Sequence, residues 1–157
     1  METINIDTVT NFKVAEVELS YHPEINPSER PKITCSSDAY KVFMQCWDKD
    51  KLQLQEQCKL MLLNPANRVL GIVEISTGGM TCTVVDPKLV FAAALKSAAC
   101  SLILSHSHPS GNLKPSEADK RLTERINAGC KLLDIQLFDH MIVTAEGFIS
   151  FADEGLL

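Results

Sequence analysis

The sequence predicts an α/β fold, a sandwich in which helices pack on a mixed β-sheet. Short apolar runs that suit buried strands alternate along the chain with segments that carry helix-start signals, and this alternation is typical of such sandwiches. The 157 residues suffice for one domain with a hydrophobic core. A composition of 45% hydrophobic and 22% charged residues indicates a globular rather than a disordered chain.

The N-terminal part of the chain stands apart from this pattern. Residues 12–21 form a candidate strand, although their apolar and polar residues alternate imperfectly. Residues 22–32 contain three prolines and have the character of a linker. We therefore expect an N-terminal strand and a proline-containing segment over residues 1–34, followed by the main domain over residues 35–157.

The first elements of the main domain are a helix and two strands. The serines and aspartate at residues 36–38 can cap a helix that continues to about residue 47. Two apolar runs, residues 58–63 and 69–75, are strand candidates. The Asn-Pro-Ala-Asn segment between them, residues 64–67, is typical of a turn.

Helices and strands continue to alternate in the second half of the chain. Asp86 and Pro87 open a predicted helix that extends to about residue 99, since proline suits a first helical turn. Residues 101–107 form a short apolar strand. Ser116 begins a further helix that we expect to end at Gly129. The remaining predicted strands are residues 132–137, 141–144 and 148–151.

The charge of the chain bears on its partners. A formal net charge of −5 argues against a general nucleic-acid binder, because neutralising phosphates needs clustered Lys and Arg. One local basic cluster could still contact nucleic acid, although a solvated helix face is the simpler interpretation. This cluster comprises Lys114, Lys120, Arg121 and Arg125.

The location of the protein is predicted from two features. No apolar run reaches the ~20 residues of a transmembrane helix. Residues 1–7 are acidic and polar, unlike a secretory signal. We therefore predict a cytoplasmic protein without a membrane partner, whose cysteines are free thiols that include no Cys-x-x-Cys pair. The six cysteines are Cys35, Cys46, Cys58, Cys82, Cys100 and Cys130.

Two histidines mark the end of the strand at residues 101–107. His106 and His108 are two residues apart, so on an extended chain their side chains share one face. Two imidazoles that converge in this way can begin a metal site. Two ordinary surface histidines are the alternative interpretation.

A carboxylate follows at a position that suits a third ligand. If Ser116 caps the next helix, Asp119 lies in its first turn and can point back toward the histidines. Two imidazole nitrogens and one carboxylate leave a fourth zinc position open, which is the pattern of catalytic zinc sites. Ser116 and Asp119 could instead form only a capping box, and the two roles are compatible.

A metal-activated water also needs a proton acceptor, and Glu74 is the candidate. Glu74 lies within the apolar strand at residues 69–75, where a carboxylate costs free energy unless it is paired. The alternative is an outward-facing position on a half-exposed strand.

These residues together resemble the JAMM (MPN+) metalloprotease motif, Glu…His-(Ser/Thr)-His-x7-Ser-x2-Asp. Glu74, the His-Ser-His run at residues 106–108, Ser116 and Asp119 match it at the required spacing. The chain is more narrowly similar to the bacterial RadC branch of that family over about residues 35–157. This similarity rests on residues 106–111 (His-Ser-His-Pro-Ser-Gly), residues 115–119 (Pro-Ser-Glu-Ala-Asp), the Ser-Thr-Gly after Glu74, and Phe-Asp-His at residues 138–140.

The resemblance implies a three-layer α/β/α fold of the cytidine-deaminase-like type and a Zn²⁺ cofactor. It implies that His106, His108 and Asp119 bind the zinc, that Glu74 is the general acid/base, and that Ser116 stabilises the oxyanion. The implied activity is hydrolysis of an amide bond in a protein or peptide, including isopeptide bonds of ubiquitin-like conjugates. RadC proteins usually carry an N-terminal helix-hairpin-helix-like region, for which the residues before position 35 leave no room, so no DNA role is transferred.

The sequence also bears on two alternative functions and on the role of His140. Zinc deamination expects His-x-Glu and Pro-Cys-x-x-Cys, and the sequence contains neither. A non-catalytic metal-binding scaffold associated with DNA repair or mobile-element processes is the main alternative, and the complete motif argues against it. For His140, a hydrogen-bonded structural role is expected rather than metal ligation. The substrate and the oligomeric state are not specified by the sequence.

Overall fold

A computed structural model describes residues 24–79 and 84–157. The strand predicted at residues 12–21 and Cys82 lie outside the described residues. In the ranges described, no helix combines the length and the apolar character needed to cross a membrane. The helices are α1 (Ser36–Cys46), α2 (Lys49–Leu52), α3 (Pro87–Lys96) and α4 (Glu117–Leu132), and a 3-10 helix covers Pro27–Glu29. The strands are β1 (Gln57–Leu63), β2 (Val69–Thr77), β3 (Ser101–Ser107), β4 (Gln136–Val143) and β5 (Phe148–Ser150).

The five strands form one mixed sheet in the order β2-β1-β3-β4-β5. Strands β3 and β4 are parallel and are joined through α4, whereas the other neighbouring pairs are antiparallel. The predicted α/β fold with a mixed sheet is confirmed.

Helices cover both faces of this sheet because each strand alternates its side chains between two cores. On one face, which we call the α4 face, Leu104 belongs to a buried cluster with Val90 of α3 and Ile126 of α4. On the opposite face, the α1 face, Ile103 belongs to a second cluster with Phe43 of α1. The resulting arrangement is the expected three-layer α/β/α sandwich.

The predicted end of α4 at Gly129 is wrong, because the helix continues to Leu132. A Cβ atom built on Gly129 would lie 2.4 Å from Cζ of Phe91, so the glycine allows α3 and α4 to approach closely. The helix instead ends before Asp134, which has a left-handed backbone with φ of 53°.

Two strands were expected at residues 132–137 and 141–144, whereas the structure has one continuous strand, β4, over Gln136–Val143. The start of the first predicted strand is wrong, because Leu132 is the last residue of α4. The gap between the two predicted strands contains the polar residues Asp139 and His140, and both are buried within β4. The Asp139 carboxylate accepts hydrogen bonds from the Ser150 hydroxyl at 2.5 Å and the Ala152 N–H at 3.0 Å. Polar residues are tolerated in this strand because hydrogen-bonding partners from other segments satisfy them.

Candidate metal centre

The two predicted histidine ligands lie at the C-terminal end of β3. His106 is in step with Leu102 and Leu104, which face the α4 cluster, so its ring lies on the α4 face. His108 follows the last strand residue, and its backbone N–H donates to the Val143 carbonyl at 2.9 Å. This bond keeps the chain aligned with β4 beyond the end of β3.

The predicted cap at the start of α4 is present and orients Asp119. The Ser116 hydroxyl accepts from the Asp119 N–H at 3.1 Å. In return, Oδ2 of Asp119 accepts from the Ser116 N–H at 2.7 Å and from the Ser116 hydroxyl at 2.6 Å. This capping box fixes the carboxylate so that its other oxygen, Oδ1, is directed at His106.

The structure brings His106, His108 and Asp119 together with donor atoms spaced for one metal ion. The two Nε2 atoms are 3.0 Å apart. Oδ1 of Asp119 is 3.2 Å from Nε2 of His106, and Oδ2 is 3.8 Å from Nε2 of His108. Ligands around a tetrahedral zinc with ~2.0–2.1 Å bonds are separated by about 3.3 Å, so this donor set fits a zinc ion and leaves a fourth position open.

The far nitrogen of each histidine is also hydrogen-bonded. Nδ1 of His108 lies 2.6 Å from the Asn112 carbonyl. Since a carbonyl can only accept, Nδ1 is the donor, and a neutral His108 ring has its free lone pair at Nε2. Nδ1 of His106 lies 2.8 Å from Nε2 of His140. Nδ1 of His140 lies 2.6 Å from the Thr123 hydroxyl. His140 is therefore hydrogen-bonded, as expected, and Thr123 is a contact that the sequence reasoning missed.

The protonation states of Asp119 and His140 suit a metal centre. Burial raises the pKa of Asp119, but hydrogen bonds from His106 and Ser116 and the charge of His106 outweigh burial and hold that pKa well below its ordinary value. Complete burial, reinforced by the charge of His106, lowers the pKa of His140 well below its ordinary value. The carboxylate is therefore ionised at neutral pH and the His140 ring is neutral.

Glu74 lies elsewhere. Its Oε2 atom is 2.8 Å from Nζ of Lys59, and its Oε1 atom accepts from the Thr77 hydroxyl at 2.6 Å. Lys59 in turn lies 5.3 Å from the centroid of the Trp47 ring, which belongs to the α1-face core. The structure thus places Glu74 across the sheet from His106 and does not bring it to the three candidate ligands.

A different glutamate, Glu56, lies beside the centre. Strand β1 is antiparallel to β3 with Cys58 opposite His106, so residue 56 is level with His108. The Glu56 N–H donates to the Gly79 carbonyl and its carbonyl accepts from the Gly78 N–H, so the paired, extended backbone includes Glu56. Alternation then places its half-buried side chain on the face of Cys58, the α4 face.

The sequence contains a signal for Glu56, but the match to the JAMM motif used Glu74 as its glutamate. Glu56, Cys58 and Leu60 have the spacing of one strand face, and Cys58 is opposite the first histidine. For Glu74, its position within an apolar strand does not reveal the face of the carboxylate, which the pairing with Lys59 places on the α1 face.

Comparison with known proteins identifies the family of this domain. The family model of the RadC-like JAB domain matches residues 33–156.

The chain belongs to the RadC-like JAB domain family.

The matched relatives are bacterial proteins named UPF0758 protein. The one from Flavobacterium johnsoniae is 39% identical over 80% of this chain and 53% of its own length. The one from Porphyromonas gingivalis is 36% identical over 92% of this chain and 63% of its own length. The one from Chlorobaculum parvum is 39% identical over 80% of this chain and 55% of its own length. The chain therefore spans little more than half the length of these curated relatives.

Membership of the RadC-like JAB family makes this a metal-dependent domain of the JAMM type. JAB domains generally bind zinc, and a triad of His106, His108 and Asp119 that could hold a metal ion is present. The names of the relatives assign no reaction.

Proposed function

We propose that this RadC-like JAB domain is a zinc metallopeptidase that hydrolyses an amide bond in a protein or peptide. The observation that carries the proposal is the convergence of two histidine Nε2 atoms and one ionised carboxylate, with spacings of 3.0, 3.2 and 3.8 Å, at the end of β3. Three protein ligands with one open position is the arrangement of catalytic rather than structural zinc sites.

The residues around that position have separable roles in the proposed reaction. Bound by the triad, zinc would supply Lewis-acid activation of a water molecule near neutral pH. We assign the general base to Glu56, because it lies on the α4 face level with His108, and not to Glu74, which is paired with Lys59 on the other face. Glu56 takes the proton of the attacking water and delivers it to the amine nitrogen as the carbon–nitrogen bond breaks.

Ser116 has one role in the resting domain and a second role during the proposed reaction. Its hydroxyl donates to Asp119, and it possesses a single proton. To stabilise an oxyanion, as the JAMM motif implies, the hydroxyl would have to release Asp119 and turn toward the substrate. We propose that it orients Asp119 in the resting domain and donates to the oxyanion only during reaction.

We propose that the substrate is a protein or peptide, and that the bonds cleaved include isopeptide bonds of ubiquitin-like conjugates. We further propose that the activity is cytoplasmic. Support for nucleic acid as a partner is limited to the basic residues of α4 and the preceding loop. Of these, Lys120 forms an ion pair with Glu117 at 2.7 Å, which favours a solvated helix face.

The test compares two matched glutamate variants of the zinc-loaded protein. Glu56→Gln should retain one zinc per chain and lose at least about 10²-fold in turnover of an amide substrate identified from peptide and isopeptide libraries. Glu74→Gln should retain zinc and most of the turnover, because its carboxylate lies on the far face. Full activity of Glu56→Gln, or loss of activity only in Glu74→Gln, would contradict the assignment.

A further inference from the structure

The two candidate histidine ligands differ in the group that faces their Nδ1 atom. Nδ1 of His108 faces a backbone carbonyl, that of Asn112, which can only accept and therefore selects one tautomer. Nδ1 of His106 faces Nε2 of His140, which can donate or accept. The tautomer of His106 therefore depends on groups beyond it.

Those groups form a buried chain of hydrogen bonds. His106 Nδ1 lies 2.8 Å from His140 Nε2, and His140 Nδ1 lies 2.6 Å from the Thr123 hydroxyl. That hydroxyl also lies 2.8 Å from the backbone carbonyl of Asp119. His106, His140 and Thr123 are all buried, and the His140 ring packs on Phe151 with 4.7 Å between centroids. The chain therefore starts at one candidate ligand and ends at another.

Counting protons leaves two consistent arrangements of this chain. In the first, Thr123 donates to the Asp119 carbonyl, His140 donates from Nδ1 to Thr123, and His106 donates from Nδ1 to His140. In the second, Thr123 donates to Nδ1 of His140 instead of the Asp119 carbonyl, and His140 donates from Nε2 to Nδ1 of His106. The proton of a neutral His106 then sits on Nε2. Only the first arrangement leaves a lone pair on Nε2 of His106, which zinc ligation requires.

The Asp119 carbonyl favours the first arrangement. It offers the Thr123 hydroxyl an acceptor within α4, four residues earlier in the helix. Removal of that hydroxyl would leave the Nδ1–H of His140 as a buried donor without its acceptor, and such groups are costly. His140 would then shift its proton to Nε2 and donate to His106, which produces the arrangement that blocks the metal.

We propose that Thr123 and His140 form a tautomer-setting relay that holds His106 in its metal-binding form. They are positioning residues, since they act through His106 and do not touch the metal. The inference rests on the proposed metal site and extends it from the three ligands to two residues of α4 and β4.

The first measurement is the zinc dissociation constant of the folded protein, obtained by competition with a chromogenic chelator. Thr123→Val removes the hydroxyl and keeps the side-chain shape, so it should weaken zinc binding by about 10–100-fold, the usual effect of losing an outer-shell partner. Thr123→Ser restores a hydroxyl and should bind zinc within a fewfold of wild type. Ile126→Val, a buried change on the same helix, controls for lost packing and should leave the affinity unchanged.

The second measurement is the ring ¹⁵N spectrum of the zinc-loaded wild-type protein, which distinguishes protonated from bare imidazole nitrogens. His140 should be neutral with its proton on Nδ1 and a bare, hydrogen-bonded Nε2. A proton on Nε2 of His140 would overturn the relay.

The outcomes separate the two proposals. Wild-type protein that binds zinc, together with a Thr123→Val variant that binds it equally tightly, would overturn the relay and leave the proposed function standing. Wild-type protein that binds no zinc would overturn the proposed function and the relay with it. Weak binding by Thr123→Val and recovery in Thr123→Ser would support both.

Discussion

Glu56, which directly precedes β1, and Glu74 of β2 differ in their surroundings, and we assign one to the reaction and the other to stability. The Lys59 side chain is 8% exposed and its ammonium is paired with Glu74, whose side chain is 46% exposed. Among the described residues, Glu56 forms no ion pair. We therefore assign Glu74 to the support of a buried cation and Glu56 to the reaction.

Glu74→Gln should destabilise the protein, because it leaves the Lys59 ammonium buried without its counter-charge. Breaking a fully buried pair costs ~3–5 kcal/mol, and solvent screening of the half-exposed carboxylate reduces the expected loss to about 1–2 kcal/mol. Urea unfolding of the two proteins measures this difference. The double variant Lys59→Met/Glu74→Gln should recover part of the loss, and equal stability of Glu74→Gln and wild type would refute the assignment.

The same pair predicts a pH dependence. The hydrogen bond and the charge of Lys59, together with Thr77, lower the pKa of Glu74 below its ordinary value of 4.5. Because the folded-state pKa is the lower one, the stabilisation is complete above pH 4.5 and is lost as the pH falls through the folded-state value. The stability gap between wild type and Glu74→Gln should therefore narrow below pH 4.5. A gap that stays constant in that acid range would argue against the ion pair.

At the scale of elements, the start of α4 couples helix capping to the metal centre. Asp119 gives one oxygen to the cap and directs the other toward His106, so the helix terminus and the ligand geometry depend on the same side chain. The sequence predicted the cap at Ser116 because hydroxyl and acidic residues at this spacing have a defined local geometry.

Ser116→Ala should weaken both properties at once. Loss of the cap is expected to cost ~0.5–2 kcal/mol of stability, and the freed carboxylate should bind zinc less tightly. Thermal unfolding and zinc titration of the same samples measure the two effects. Ser116→Thr keeps the hydroxyl and serves as the matched control, and an alanine variant with reduced stability but unchanged zinc affinity would show that the cap does not orient the ligand.

The elements that sequence reasoning placed correctly are those with a strong local signal. The apolar run of β3 and the Asn-Pro-Ala-Asn turn, where the Asn64 side chain accepts from the N–H groups of Ala66 and Arg68, follow from short-range chemistry. The boundaries that failed depend on contacts from distant segments. Gly129 does not end α4, because it is a glycine that lets the ring of Phe91 pack closely against the helix. The polar residues of β4 have hydrogen-bonding partners from other elements.

At the scale of the whole molecule, the metal centre is assembled from segments that only the completed fold brings together. Local pattern identified the two histidines and the aspartate, since strand periodicity and a helix cap fix their directions. The position of Glu56 follows from the antiparallel pairing of β1 with β3, and the His140 and Thr123 contacts follow from the packing of β4 and α4. Pairing partners and helix packing are properties of the fold that a single sequence does not specify.

X-ray absorption spectroscopy of the zinc-loaded protein would show whether His106, His108 and Asp119 hold a zinc ion. We expect four light-atom ligands at about 2.0–2.1 Å with the scattering signature of two imidazoles. The Asp119→Asn variant should lose zinc or change this spectrum. A sulfur shell at about 2.3 Å, which would indicate cysteine ligation, or a spectrum of Asp119→Asn identical to that of wild type, would contradict zinc binding by these three residues.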